Sequence, residues 1–309
     1  MHSDSGRDGA RDSDGIGVIG VIGVGNMGLG IVVRLRSLGR PVRVRDIDPE
    51  RERLAAGHGA RAFATPARLA ADCAAVIVAV VDAAQAADVL FGADGAAPAL
   101  RPGACVLLCP TIDPASVEAI AARLAAIGID AVDAPMSGGP ARAASGTMSL
   151  MVACADALFT RHRPLLEAIA DPVFRVGTRP GDGARTKLVN NLLAAINLAG
   201  AAEALALAER VGLDPARTLD VIERSSGQSW IGSDRLRRAI AGDYAPRAHA
   251  TLLAKDSSLA VGMAQEAGAQ TRLGALAAAT FAEAVRAGHG ALDDAVLFDL
   301  LRAKERQIG

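Results

Sequence analysis

The chain has 309 residues, of which 51% are hydrophobic, and its formal net charge is −1. This length is enough for about two domains, each with a sizeable core. This net charge is unlike that of nucleic-acid-binding proteins, which are typically basic. We therefore expect neither a nucleic acid nor another polyanion as a partner.

The N-terminal region and the cysteines indicate a cellular setting. Residues 1–15 are polar and lack an apolar segment, which predicts a disordered tail and not a secretory signal. The apolar run 16–35 contains many glycines, which favours a strand, a turn and the start of a helix over a membrane span. Four scattered cysteines and five widely separated histidines predict no metal site. We therefore expect a cytoplasmic protein with reduced thiols and no membrane partner.

Residues 16–178 alternate short β-branched segments with alanine-rich helical segments. Such alternation predicts an α/β fold with a Rossmann-type, doubly wound parallel sheet. The predicted strands are residues 18–24, 42–46, 75–80, 105–109, 131–133 and 149–153.

Residues 179–309 are expected to form a second, all-helical domain for substrate binding and oligomerisation. Turn-forming residues cluster at 178–183, where strand patterning stops. A helix over 184–211 follows, apolar on much of its circumference, which predicts burial on several sides. Asp214 and Pro215 match the N-cap and first position of another helix. Further helices are predicted at 233–241, 248–266, 273–287 and 293–305.

A G-x-G-x-x-G motif joins the first predicted strand to a helix. Gly23 allows the tight turn, Gly25 lets a pyrophosphate approach the backbone, and Gly28 lets the helix pack on the sheet. Asp46 ends the second predicted strand, where an acidic side chain accepts hydrogen bonds from ribose hydroxyls and repels a 2′-phosphate. NAD is thus expected in preference to NADP, although Arg45 and Arg51 bring positive charge nearby.

Two further patterns predict substrate chemistry. Ser137-Gly138-Gly139 offers a hydroxyl and adjacent N–H groups that suit a carboxylate, with an ordinary tight turn as the alternative. Only three of the 33 basic residues are lysines, at positions 187, 255 and 304. Because arginine stays protonated whereas a buried lysine can lose its proton, Lys187 and Lys255 become candidates for functional roles.

With these motifs in place, the chain resembles the β-hydroxyacid dehydrogenase family, which includes 3-hydroxyisobutyrate dehydrogenase. The resemblance covers residues 16 to about 303 and includes four motifs in order. They are residues 23–28, residues 133–139 with Gly146, residues 181–191, and Lys255-Asp256. The resemblance implies an NAD-dependent oxidoreductase that acts on the CH–OH group of a hydroxy acid, assembled as a homodimer or homotetramer.

The resemblance also implies a role for each site residue. For the cofactor, the implied residues are Gly23, Gly25, Asn26, Met27 and Gly28 at the pyrophosphate, Asp46 at the ribose, Thr111 near the nicotinamide, and Lys255. For the substrate, they are Ser137, Gly138 and Gly139 at the carboxylate, and Asn191 at the reacting end. Lys187 would be the catalytic acid/base, which requires its pKa to lie about 2–3 pH units below the usual lysine value.

Several functions remain open at this point. Residues 80–85 and 225–230 resemble the L-threonate dehydrogenase branch, so oxidation of L-threonate or a similar sugar acid is expected. The alternatives are 3-hydroxyisobutyrate oxidation and the reduction of glyoxylate, succinic semialdehyde or tartronate semialdehyde. Retention of Lys187 argues against imine reduction, and its retention together with Asn191 argues against a non-catalytic dinucleotide-binding regulator.

Overall fold

The computed structural model describes residues 16–307, with side chains described as far as residue 303. The predicted tail, residues 1–15, lies outside the described residues. The chain divides into two compact units, one ending at Arg185 and the other starting at Thr186. This division falls a few residues after the turn at which the sequence placed the domain boundary.

The first unit is built on one mixed sheet. Its strands are β1 (Ile19–Ile22), β2 (Val42–Arg45), β3 (Arg61–Ala62), β4 (Ala75–Val78), β5 (Cys105–Leu108), β6 (Asp130–Asp133), β7 (Met136–Ser137), β8 (Ser149–Ala153) and β9 (Val173–Gly177). Their order is β3-β2-β1-β4-β5-β6-β8-β7, with β9 paired to β8. The six strands from β3 to β6 are mutually parallel, which confirms the Rossmann-type sheet.

Helices cover both faces of this sheet. They are α1 (Asn26–Ser37), α2 (Pro49–Gly57), α3 (Pro66–Ala70), α4 (Ala83–Phe91), α5 (Pro114–Ala125), α6 (Gly139–Ser145) and α7 (Asp156–Ile169). Alternate strand residues enter two separate cores: Ile77 packs with residues of α1 and α7, whereas Val76 and Val78 pack with residues of α4 and α5. Burial on both faces explains why these strands are continuously apolar.

One predicted strand departs from the parallel arrangement. Residues 149–153 form a strand as expected, but β8 pairs antiparallel with both β6 and β7. A parallel connection needs a crossover of about a dozen residues or more. Here β7 follows β6 almost directly, and the short helix α6 then returns the chain for antiparallel pairing.

The second unit is helical. Helix α8 (Asp182–Arg210) begins just before the division and continues into this unit, where it is followed by α9 (Pro215–Glu223), α10 (Trp230–Ile240), α11 (Ala250–Glu266), α12 (Arg272–Ala284) and α13 (Leu297–Gln307). Asp214 caps α9 by accepting a hydrogen bond from the Arg217 N–H, and Pro215 is the first helical residue, as predicted.

Helix α8 supplies a central part of the second core. Ala195, Leu198, Ala202 and Leu205 are fully buried and pack with residues from α9 to α13. Another side of α8 is exposed, so the predicted burial on several sides does not hold within one chain. Among residues 16–307, α8 is the one helix whose length and apolar composition would allow it to cross a membrane. A core helix meets the same criteria.

Candidate active site

The first glycine motif lies where β1 ends and α1 begins. A Cβ at Gly23, whose φ is 88°, would lie 2.7 Å from the Ala79 carbonyl oxygen, and one at Gly28 would lie 1.9 Å from the Gly23 carbonyl oxygen. Gly25 precedes α1 without a side-chain cap, and a Cβ there would meet nothing within 4 Å. The loop is therefore tightly packed at Gly23 and Gly28 and open at Gly25, which fits a pyrophosphate approaching the helix N-terminus.

The adjoining residues of this motif are held by neighbours. The Asn26 Oδ1 accepts a hydrogen bond from Arg51 at 3.3 Å, and Met27 packs partly buried against the core. The Asp46 carboxylate accepts hydrogen bonds from the Val24 N–H, inside the glycine loop, and from the Asp48 N–H. Asp46 is thus fixed beside the loop, as a residue that contacts the adenosine ribose should be.

Two further predicted residues lie at the same edge of the sheet. Thr111 is half-buried in the segment after β5, and Ser137 is half-buried at the end of β7. Gly138 and Gly139 follow with φ values of 130° and 78°, a backbone region that favours glycine. Carboxyl ends of parallel strands are where α/β proteins bind ligands, so the first unit collects its predicted site residues at one edge.

Asp133 is a residue to which the sequence assigned no role, although it is the first residue of the family motif 133–139. Its carboxylate is 1% exposed and accepts hydrogen bonds from the N–H groups of Gly181, at 2.8 Å, and Ala184, at 3.1 Å. Burial raises the pKa of Asp133 to about 6, an effect that these N–H donors partly offset. Asp133 therefore caps the first turn of α8.

Lys187 lies in the second turn of α8 and is 7% exposed. Burial lowers the pKa of Lys187 to about 8, the negative charge of Asp256 opposes this shift, and the positive charge of Lys255 adds to it. A neutral amine is thus accessible near physiological pH, as acid/base catalysis requires.

A hydrogen-bonded group surrounds Asp256 in the second unit. The Asn191 amide donates to Asp256 Oδ2 at 2.7 Å, and the Lys255 ammonium lies 2.7 Å from Asp256 Oδ1. The Asn190 side-chain amide donates to Asn191 Oδ1 at 3.0 Å, which orients the Asn191 side chain. The sequence placed Asp256 beside Lys255 but did not reveal its contact with Asn191, 65 residues away. The second unit thus brings Lys187, Asn191 and Lys255 together around one carboxylate.

Family comparisons cover most of the chain. Residues 18–177 match the family described as the NAD binding domain of 6-phosphogluconate dehydrogenase. Residues 181–301 match the family described as NAD-binding of NADP-dependent 3-hydroxyisobutyrate dehydrogenase. The two matches follow each other along the chain without overlap.

Individual relatives match over nearly their whole lengths. An L-threonate dehydrogenase from Cupriavidus necator is 40% identical over 91% of this chain and 95% of that protein. A 3-hydroxyisobutyrate dehydrogenase from Pseudomonas aeruginosa is 34% identical over 93% of this chain and 99% of that protein. The crystal structure of a 3-hydroxyisobutyrate dehydrogenase from Salmonella typhimurium has a TM-score of 0.86 and 35% identity, covering 92% of this chain and 99% of that one.

Proposed function

The chain belongs to the 3-hydroxyisobutyrate dehydrogenase family, and from this premise we propose that it oxidises L-threonate or a similar small sugar acid. It is an NAD-dependent oxidoreductase that acts on the CH–OH group of a hydroxy acid. The 40% identity to an L-threonate dehydrogenase supports the choice of substrate within that class.

The observation that carries the proposal is the environment of Lys187. Its amine is buried, its pKa lies about 8, and the neighbouring Asp256 also holds Asn191 and Lys255. A lysine with this pKa is partly neutral at physiological pH and can exchange a proton with a hydroxyl group. Arginine could not replace it, because a guanidinium stays protonated in proteins.

The proposed reaction needs one proton acceptor and one site for the substrate carboxylate. Neutral Lys187 removes the hydroxyl proton as the alcohol becomes a carbonyl, and protonated Lys187 returns that proton in the reverse direction. Bound NAD supplies the acceptor for the hydride. Ser137 binds the substrate carboxylate together with the N–H groups of Gly138 and Gly139. Asn191, oriented by Asp256, holds the reacting end of the substrate.

The cofactor is assigned to the first glycine motif and its neighbours. Residues 23–28 bind the pyrophosphate, Asp46 binds the adenosine ribose, and Thr111 lies near the nicotinamide. The open space at Gly25 and the hydrogen-bonded carboxylate of Asp46 support this assignment. Lys255 is assigned as a further cofactor-binding residue.

We further propose a cytoplasmic homodimer or homotetramer. Apolar side chains of α8 and α12 are more than half exposed in the single chain, namely Val189, Leu193, Leu207, Leu273 and Leu276. The two helices pack closely, since a Cβ at Gly274 would lie 2.6 Å from Leu192. These side chains form what we call the α8–α12 surface, and covering it with a second copy would remove apolar area from water.

A substrate panel tests the proposed activity. The protein is mixed with NAD and L-threonate, D-threonate, 3-hydroxyisobutyrate, D-glycerate or 4-hydroxybutyrate in turn, and NADH formation is followed by absorbance. We expect the highest kcat/KM with L-threonate. The variant Lys187→Arg should bind NADH normally but lose at least about a hundredfold in kcat, the lower range for acid/base catalysis. Near-normal turnover by that variant would contradict the proposed role of Lys187.

A second candidate is oxidation of 3-hydroxyisobutyrate, or reduction of a small semialdehyde, at the same site. The 34% identity to a 3-hydroxyisobutyrate dehydrogenase and the family match over residues 181–301 favour it. The same panel decides between the two, once glyoxylate, succinic semialdehyde and tartronate semialdehyde are added with NADH.

A further inference from the structure

Three charged side chains lie together where β2 ends beside the glycine loop. Arg45 ends β2, Asp46 follows it, and Glu52 reaches both from α2. One oxygen of the Glu52 carboxylate, Oε1, accepts a hydrogen bond from the Asp46 N–H at 2.9 Å and one from the Arg45 guanidinium at 2.8 Å. Glu52 therefore holds the backbone of Asp46 and neutralises the charge of Arg45.

The pair formed by Arg45 and Glu52 is partly shielded from solvent. The side chains are 27% and 18% exposed, so their interaction is screened less than that of a surface pair. A second cation, Arg51, is directed to the Asn26 side chain in the glycine loop. Glu52 thus neutralises the cation adjoining Asp46, where an unpaired guanidinium would attract a phosphate.

We propose that Glu52 is a specificity-determining residue that makes the protein prefer NAD to NADP, by pairing with Arg45 and by holding the backbone of Asp46. The inference rests on the proposed contact between Asp46 and the adenosine ribose. The two dinucleotides differ by a 2′-phosphate on that ribose. In the native chain this phosphate meets the carboxylates of Asp46 and Glu52, while the adjoining guanidinium is already paired.

The variant Glu52→Gln separates charge from structure. The glutamine amide oxygen can still accept hydrogen bonds from the Asp46 N–H and from Arg45, so the local backbone is preserved. The negative charge of Glu52 is lost, so the positive charge of Arg45 is no longer neutralised. Because a phosphate monoester carries more than one negative charge at neutral pH, we expect NADPH to bind about five- to tenfold more tightly. NADH affinity should change by less than about twofold, since NADH has no charge at this position.

The test measures cofactor binding without any substrate. Isothermal titration calorimetry gives the Kd of NADH and NADPH for the native protein, Glu52→Gln and a matched control, Glu50→Gln. Glu50 lies on the same helix and pairs with Arg53 at 2.6 Å, and both side chains of that pair are more than half exposed. The control should leave the ratio of the two Kd values unchanged. The double variant Arg45→Gln/Glu52→Gln should lose most of the gain for NADPH.

Two more variants distinguish the possible failures. Asp46→Asn should also favour NADPH, and if it leaves the ratio unchanged, the ribose assignment itself fails. If Asp46→Asn changes the ratio but Glu52→Gln does not, only the role of Glu52 is overturned. Equal weakening of NADH and NADPH by Glu52→Gln would likewise overturn it, because Glu52 would then be only a structural support. Arg45→Gln gives an independent check, since it leaves the Glu52 charge unpaired and should weaken NADPH binding.

Discussion

At the scale of single residues, function depends on how two carboxylates control neighbouring cations. Asp256 contacts Lys255 directly and raises the pKa of Lys187 against the effect of burial. Glu52 pairs with Arg45 in the first unit. Neither carboxylate exchanges a proton in the proposed reaction: Asp256 acts on Lys187, and Glu52 acts on Arg45 and Asp46.

The variant Asp256→Asn is expected to change the pH dependence of oxidation. Oxidation needs neutral Lys187, so its rate should rise with pH through about 8 in the native protein. Removing the negative charge of Asp256 lowers the pKa of Lys187, and the rising limb should move to lower pH by about half a unit to one unit. The pH profiles of kcat and kcat/KM measure this shift.

A matched control for that variant is Asp220→Asn, which removes an exposed carboxylate paired with Arg237 on the same unit. It should leave the profile unchanged. Asp256→Asn keeps an oxygen that can accept the Asn191 hydrogen bond. If the variant nevertheless disturbed the orientation of Asn191, kcat would fall but the pH profile would not move. A profile that stays in place, or moves to higher pH, would rule out the electrostatic role of Asp256.

At the scale of elements, the N-terminus of α8 is an unusual helix start. Asp133 is remote in sequence from the helix that it caps, whereas Asp82, Asp113 and Asp214 cap the helices that immediately follow them. The first turn of α8 therefore depends on a residue supplied by β6. Because Lys187 lies one turn further along, the proposed catalytic residue is on a helix whose start is held by the last residue of β6.

The variant Asp133→Ala should be markedly destabilising. It leaves the Gly181 and Ala184 N–H groups without their acceptor in a buried environment, at a cost of about 2–3 kcal/mol. Asp82→Ala removes an exposed cap of α4 and should cost about 1 kcal/mol. Urea unfolding at neutral pH compares the two. Equal losses would show that Asp133 is no more than an ordinary cap.

At the scale of the whole molecule, the second unit has both an internal core and an exposed apolar surface. The buried side of α8 packs with five other helices, while the α8–α12 surface is exposed in the single chain. Exposed apolar patches of this kind mark interaction sites in soluble proteins. The proposed oligomer rests on this surface together with the homodimer or homotetramer that the family resemblance implies.

The variant Leu276→Asp tests that surface. Leu276 is 65% exposed in the single chain, so an aspartate there should leave the fold intact but oppose burial against a second copy. Size-exclusion chromatography with light scattering should show a native oligomer and a monomeric variant. Ile127→Asp, at a 46% exposed position in the first unit, is the control and should keep the native mass. A monomeric native protein would refute the proposed assembly.

Local patterns in the sequence determined much of the architecture. Alternating β-branched and alanine-rich segments predicted the parallel sheet, because a strand covered by helices on both faces must be apolar throughout. The spacing of Gly23, Gly25 and Gly28 predicted the nucleotide loop, since each glycine meets a separate steric demand. The scarcity of lysine directed attention to Lys187, although only burial and the charges around it account for its pKa.

Tertiary structure decided the features that join distant segments. It paired β8 antiparallel with β6 and β7, placed Asp133 at the start of α8, and connected Asp256 to Asn191. Hydrophobic period and turn composition act over a few residues and therefore appear in the sequence. A hydrogen bond across 65 residues depends on how whole elements pack, which no local pattern specifies.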